Sequence, residues 1–270
     1  MTAKENQPDW DKIAEKFDMW LPQLQDAGDA LIERLAAQSG DRVIDIASGT
    51  GEPALTLARK MGGNIEIVGV DAAQGMVTVA NQKVARQELK GISFSTMSAE
   101  SLTYDDNSFD RVLCRFGVML FEDSLAGIKE MYRVLKPGGR FAISVWNTPE
   151  KMPTLYWTFQ VMAPRLPEEA HPPLAKVTSL GGPGVFENLL KKAGFSKFEV
   201  ETRVLNYQFD SFDDYWDLVE ASDILKMQYD ALPDSERDAV RDEIGQLAHD
   251  FVVDGKLVVP HEYLVAHGSK

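Results

Sequence analysis

Residues 43–55, VIDIASGTGEPAL, decide how this chain folds. An apolar, β-branched run carries one acid, Asp45, close to its end; a turn holding Gly49 and Gly51 follows, and helix-compatible residues begin at Glu52 and Pro53. Strand, glycine turn and helix in that order form the opening unit of a parallel α/β sheet. The glycines permit both the turn and a close approach of backbone to a ligand. Pro53 suits a first helical turn, where its missing N–H costs nothing.

Working outward, the same alternation repeats. IEIVGV (65–70) precedes a helix around Met76 to Arg86; ISFSTM (92–97) and FDRVLCR (109–115) read as further strands. The next helix carries Leu125, Ile128, Met131, Tyr132 and Leu135 on one face and is expected to stop at Pro137-Gly138-Gly139, before the strand RFAISVW (140–146). Upstream, Trp10, Ile13, Ala14, Phe17 and Leu21 recur at helical spacing behind the N-cap Asp9. Downstream, Phe186, Leu189, Leu190 and Ala193 form a helix closed by Gly194, FEVETRVLNYQF (198–209) reads as a long strand, and LVVPHEYLVAHG (257–268) as a last one. Two stretches interrupt this rhythm. Residues 147–183 are proline-rich and hold Tyr156, Trp157 and Phe159; residues 211–256 open with Ser211 and Asp214 at capping-box spacing and continue through Val240, Ile244, Leu247 and Phe251. The expectation is a single domain over 1–270: a seven-stranded, mostly parallel sheet with helices on both faces, an N-terminal helical lid (1–39) and helical cap insertions at 147–183 and 211–256.

Composition bounds the function. The 270 residues are 44% apolar, enough for a substantial core, and no run approaches the roughly 18 apolar residues of a membrane span. The start, MTAKENQPDWDK, has no apolar segment or small-residue cleavage site, so no secretory signal is read there. A single cysteine, Cys114, fits a reducing compartment, and the expected location is cytoplasmic. With 42 acidic against 28 basic residues the net charge is −14, a field that opposes approach to phosphate backbones or anionic lipid. Nucleic acid and membrane insertion are both disfavoured, and a small-molecule acceptor is expected.

Gly49, Gly51 and Ala54 also match the spacing of the dinucleotide fingerprint, with Asp71 about where its ribose acid would lie. The charges argue otherwise. A diphosphate needs bare helix N–H groups, whereas Asp45 and Glu52 bring negative charge to the turn. A ligand with an ammonium and a sulfonium fits better. Asp71 ends an apolar strand, where its carboxylate can accept from two ribose hydroxyls; capping the next helix is its plainer role. Ala72 and Met76 follow at packing distance for a purine.

VIDIASGTG (43–51), GVDAAQGM (69–76), SAESLTYDDNSFDRVLCRFGVMLF (98–121) and LKPGGRFAISVW (135–146) together resemble, in strict order, the motifs of class I S-adenosylmethionine-dependent methyltransferases. The nearest likeness is to the broad group that includes the ubiquinone and menaquinone C-methyltransferases. The resemblance covers roughly residues 40–150 and implies a Rossmann-like fold with S-adenosyl-L-methionine as cofactor. It implies Asp45, Ala47, Gly49, Gly51, Arg115 and Phe116 near the methionine half, Asp71 on the ribose, Ala72, Met76, Ser98 and Ala99 around the adenine, and Phe17 on the closing first helix. Trp20, Met119, Trp157 and Trp216 are the substrate-side candidates, with Tyr215 beside them. Two departures stand out: Ala47 replaces a glycine, acceptable with ordinary backbone angles, and Ser98 replaces an Asp that accepts from the adenine amine. After the fourth strand Cys114-Arg115-Phe116-Gly117 is unlike the tetrad of amino-base methyltransferases, again against nucleic acid. Cys114 reads as core, the four histidines lack metal-ligand spacing, and His171 is a minor candidate base in the first cap. A nicotinamide oxidoreductase and a non-catalytic S-adenosylmethionine-binding protein are the alternatives.

Overall fold

Five strands run parallel: β1 (Arg42–Ile46), β2 (Glu66–Asp71), β3 (Ile92–Thr96), β4 (Phe109–Arg115) and β5 (Leu135–Trp146). In the computed structural model, which describes residues 8–270, their spatial order is β3–β2–β1–β4–β5. Three strands follow in the chain: β6 (Lys197–Phe209), β7 (Val252–Val253) and β8 (Lys256–Ser269). β8 lies antiparallel between β5 and β6, which completes the expected seven strands; β7 adds only a two-residue turn-back on β8. Successive strand residues point to opposite faces. Val43, Ile44, Asp45 and Ile46 of β1 are all buried, so helices cover both faces there.

The helices are α1 (Trp10–Phe17), α2 (Leu21–Leu35), α3 (Ala54–Met61), α4 (Gln74–Arg86), α5 (Ser124–Val134), α6 (Pro153–Met162), α7 (Leu174–Val177), α8 (Val185–Ala193), α9 (Phe212–Ser222), α10 (Lys226–Ala231) and α11 (Asp234–Ala248). α2 crosses β4, β5, β6 and β8; α3 and α4 pack on β2, and α5 packs on β5 and α8. Asp9 caps α1 by accepting from the Lys12 N–H, as expected. Ser211 likewise caps α9 by accepting from the Asp214 N–H at 3.1 Å, but Asp214 returns a bond to the Ser211 hydroxyl rather than to its backbone.

Two expected boundaries move. α5 ends at Val134, and Pro137-Gly138-Gly139 lies inside β5, where the register to β4 shifts between Phe109 and Arg111. There Gly138 adopts φ +77 and donates its N–H to the Lys270 carbonyl, while Gly139 accepts the Lys270 N–H, so this triplet bends a strand instead of stopping a helix. α3 starts at Ala54, later than the expected opening at Glu52 and Pro53, and Pro53 stands before it as its N-cap.

Residues 147–183 and 211–256 fold as short helices that pack on each other, α6 against α11 and α9 against α11. Of the expected lid, residues 1–7 lie outside the described residues. α1 docks on α4 through a cluster of Ile13, Ala14, Ala73 and Met76, and Asp11 accepts the Gly75 N–H at 2.6 Å. Among the described residues no helix is long and apolar enough to cross a membrane.

Candidate active site

The strand order reverses between β1 and β4, and in open α/β sheets the crevice outside the carboxyl ends at such a point receives the ligand. The turn after β1 occupies that crevice. Ser48 N–H is held by the Val70 carbonyl at 3.0 Å, and Gly49 N–H by the Asp71 carboxylate at 2.8 Å. Gly49 has φ +52, and a side chain there would meet nothing within 4 Å, so the crest of the turn is open. Gly51, at φ +103, serves packing, because a Cβ would press on Leu55 and Phe94.

The expectation of ordinary angles at Ala47 is overturned: its φ is +57. A left-handed alanine costs on the order of 1–2 kcal/mol. Its methyl group needs room, and Gly117 supplies it, since a Cβ on Gly117 would lie 2.5 Å from the Ala47 Cβ. The alanine after β1 and the glycine after β4 are therefore matched.

Asp45 is fully buried, and neither carboxylate oxygen has a partner at good hydrogen-bond geometry among the described residues, although the Ala54 N–H lies close enough to lower the carboxyl weakly. Burial pushes its carboxyl up to about 8, despite the opposing charge of Arg115 at the end of the neighbouring strand. Arg115 is itself pulled below its ordinary value by burial, with Asp45 and then Glu52 acting the other way. Glu52 is committed elsewhere. One of its oxygens caps α3 at the Thr56 N–H (3.1 Å) and the other pairs with Arg59 at 2.7 Å. The helix terminus that a diphosphate would need is thus occupied by the protein's own carboxylate.

At the end of β2, Asp71 accepts from Gly49 N–H through one oxygen and from Ala73 N–H through the other, at 2.9 Å. Burial raises its carboxyl, and these backbone bonds oppose the rise. Both readings of Asp71 hold at the level of geometry: it turns the chain into α4, and each oxygen keeps a second lone pair. Ala72 is exposed beside it, whereas Met76 is buried under α1 in contact with the cluster that half-buried Phe17 joins. Ser98 is partly exposed beyond β3, with Ala99 buried behind it. Its hydroxyl bonds to Glu100, a residue that sequence reasoning passed over.

A chain of rings leads away from the crevice. Phe116, buried at φ +55, stacks on Trp146 with centroids 3.8 Å apart; Trp146 meets Tyr263 and His261 edge-on; His261 stacks on Tyr207 at 4.1 Å, and Tyr207 leans on Trp20. Trp20 Nε1 has no partner among the described residues. Of the substrate-side candidates, Trp20 alone belongs to this chain of rings. Met119 is buried in the main core; Trp157 packs on Phe251, and Trp216 packs on Phe212 and Tyr229 while its Nε1 donates to Glu220 at 2.7 Å. His171 is bonded to the Leu166 carbonyl at 3.1 Å within the first cap.

His261, Tyr207, Tyr263 and Thr154 were missed. His261 is fully buried and lowered to about 4 by that burial; its Nδ1 faces the Val259 carbonyl at 3.0 Å and its Nε2 the Thr154 hydroxyl at 2.8 Å. The only cue was strand alternation, which puts His261 on the same inward face as Val259 and Tyr263. Cys114 is buried and its thiol raised by burial, as a core residue should be. No cluster of metal-ligating side chains occurs among the described residues.

The strand order, the acid-bearing crevice and the matched turns define the architecture of a class I S-adenosylmethionine-dependent methyltransferase. The likeness extends to solved structures: the YcgJ protein of Bacillus subtilis aligns with TM-score 0.64 at 20% identity over 91% of this chain and 98% of that one. Phosphoethanolamine N-methyltransferase 2 of Haemonchus contortus, in complex with S-adenosyl-L-methionine, aligns with TM-score 0.58 at 20% identity over 91% of this chain and 52% of that one. At those identities the likeness concerns the fold. In sequence, residues 10–168 match the model of the ubiE/COQ5 methyltransferase family, and the chain belongs to that family. The ubiquinone/menaquinone biosynthesis C-methyltransferase UbiE of Geobacter sulfurreducens is 42% identical over 111 residues, 41% of this chain and 43% of that protein. The chain thus spans about half the length of the curated relatives it matches.

Proposed function

We propose that the chain binds S-adenosyl-L-methionine in the β1–β4 crevice and transfers its methyl group to a small-molecule acceptor held beneath the helical caps. One observation carries the reading: a fully buried carboxylate, Asp45, with both oxygens unpartnered. A buried unpaired acid is costly unless a cation completes it. The ammonium of the cofactor's methionine half has the required charge and donors, and Arg115 on the adjacent strand has the opposite charge for its carboxylate. Asp71 accepts from the ribose hydroxyls through the lone pairs left after it binds Gly49 and Ala73. Gly49, Ala47 and Gly51 keep the turn low over the ligand, Ala72, Met76, Ser98 and Ala99 bound the purine, and Phe116 with Phe17 closes the ends.

When bound, the cofactor supplies a methyl group on a positively charged sulfur, open to in-line displacement. The protein contributes alignment and the exclusion of water. α1 and the caps at 147–183 and 211–256 act as the closing cover. This is supported by Asp18, just after α1, which bonds Thr50 of the glycine turn at 2.5 Å and Lys83 of α4 at 2.6 Å. The ring series from Phe116 to Trp20 supports a flat acceptor. Relatives named demethylmenaquinone methyltransferase make demethylmenaquinone, in its reduced form, the first acceptor to try, although the family match ends at residue 168, before β6, β8 and α9–α11.

Thermal melting with added ligands tests the cofactor. S-adenosylmethionine or S-adenosylhomocysteine at a hundredfold excess over Kd is expected to stabilise the fold by about 2.7 kcal/mol, with NAD and NADP inert. Stabilisation by NAD and by neither sulfur ligand would turn the assignment to a dehydrogenase. Incubation with methyl-labelled cofactor plus demethylmenaquinol and a metabolite extract, read by mass spectrometry, tests transfer; tight binding with no labelled product would leave a binding protein.

A further inference from the structure

Trp20 carries a donor that the fold leaves idle. Its indole Nε1 is buried and finds no acceptor among the described residues, a costly state for a group that can only donate. The indole is nevertheless held in place from both sides. Two residues before it, Asp18 accepts from the Thr50 hydroxyl and from Lys83 Nζ; three residues after it, Gln23 pairs with the backbone of β6, donating to the Gln208 carbonyl at 3.1 Å and accepting the Gln208 N–H at 2.8 Å. One tie runs to the glycine turn and the other to the strand that carries Tyr207.

Because Gln208 follows Tyr207, the second tie also sets Trp20 against the Tyr207 ring, at a centroid distance of 5.8 Å. Tyr207 is fixed in its turn by His261, which stacks on it at 4.1 Å and engages its own ring nitrogens elsewhere, with the Val259 carbonyl and the Thr154 hydroxyl. The Tyr207 hydroxyl makes no hydrogen bond among the described residues, whereas that of nearby Tyr215 bonds to Thr158. Burial raises the Tyr207 phenol against the pull of the Arg115 charge, so the proton stays and Tyr207 is a second idle donor.

We propose that Trp20 Nε1 and the Tyr207 hydroxyl donate to an oxygen borne by the acceptor's ring, so that the site selects a planar acceptor with a ring hydroxyl or carbonyl over the same ring without one. A site built from donors rejects an analogue that lacks the oxygen, because the donors then stay unpaired. The ring series by itself asks only for flatness; the two donors add the demand for oxygen. The inference rests on the acceptor reading above.

The test compares calorimetric Kd values for 2-naphthol and 2-methylnaphthalene, which share a shape and differ in the oxygen, on the protein saturated with S-adenosylhomocysteine. The wild-type protein is expected to prefer the naphthol at least tenfold, although the methyl compound is the more apolar. Trp20→Phe and Tyr207→Phe each keep an aromatic ring and remove one donor, and each should cut the preference to threefold or less by weakening the naphthol alone. A merely structural role for these rings would lower Tm and weaken both naphthalenes alike. An unchanged ratio in either variant, equal wild-type affinity for the two compounds, or binding of neither to the S-adenosylhomocysteine complex overturns the inference. Failure of the wild-type protein to bind S-adenosylhomocysteine rejects the cofactor reading instead.

Discussion

The crevice at the ends of β1 and β4 and the caps beyond it treat their polar groups in opposite ways. In the crevice region Asp45 leaves two oxygens unpartnered, and Ser48 Oγ and Trp20 Nε1 are buried without partners among the described residues. In the caps most buried polar groups are satisfied from within: Thr158 and Thr178 hydroxyls donate to carbonyls four residues back, Trp216 donates to Glu220, and Thr154 is joined to His261. Gln228 Oε1 is the exception there. Unmet hydrogen bonds cost stability, so the first region is one that a ligand completes and the second is one that completes itself. Binding energy is accordingly stored in the crevice, whereas the caps contribute shape.

The contrast can be broken by substitutions on either side. Trp157→Ala removes a ring buried on Phe251 in the cap, and should lower stability by about 3–5 kcal/mol in denaturant titration while changing Kd for S-adenosylhomocysteine less than threefold. A large affinity loss with unchanged stability would mean that the caps are not self-sufficient.

Asp45→Asn is the opposite case. Cofactor binding should weaken by about 1.5–3 kcal/mol for a lost charge-assisted bond, yet the cofactor-free protein should become more stable above pH 4. The sign follows from burial. With the folded carboxyl near 8 and the unfolded one near 3.8, the folded state holds the extra proton between those values, and stability is lost as pH rises through that window. The penalty at pH 8 is on the order of a few kcal/mol and should vanish in the asparagine variant, as melting curves across pH would show. In the wild-type protein, cofactor affinity should rise over the same interval.

Gly117→Ala should cost about 1–3 kcal/mol by forcing a methyl against Ala47 and the Cys114 sulfur, and Ala47→Gly should recover part of it, the 2.8 Å approach to Cys114 Sγ remaining. A double-mutant cycle measures the coupling; additive effects would show the two turns to be independent. The smallest effect is expected for Asp18→Asn, which keeps its shape but loses its charge against Lys83: a few-fold faster cofactor release in stopped-flow displacement, about 1 kcal/mol.

The same contrast separates what was legible in the sequence from what was not. The crevice is formed by contiguous runs, so each strand, the glycine turn and the acids Asp45 and Asp71 could be read from local order alone. Local order also misled, most of all at Ala47 and at Pro137-Gly138-Gly139. Both depend on a partner far along the chain, Gly117 for the first and the β4 register with the C-terminal residue for the second. The ring series was illegible for a related reason. Trp20, Phe116, Trp146, Tyr207 and His261 come from five places far apart in the chain, and only tertiary packing brings them together. Trp157 and Trp216 read as substrate-side candidates because they are aromatics in an interruption, and each also packs on another ring of the caps, where burying about 150–250 Å² of ring is an economical way to hold short helices together.

The place of β8 in the sheet has a consequence for how the molecule comes into being. Among the described residues β6 pairs with no strand except β8, and β5 has no strand on that side until β8 inserts. During synthesis the parallel half can assemble once residue 146 has emerged, but β5 then keeps an open hydrogen-bonding edge while more than a hundred further residues are made. Such an edge is a template for pairing with another nascent chain. Only when residues 256–269 arrive does the long-range ladder close, so the slow step in folding should be this late insertion, and a chaperone would find its most vulnerable client in a chain whose β8 has not yet emerged.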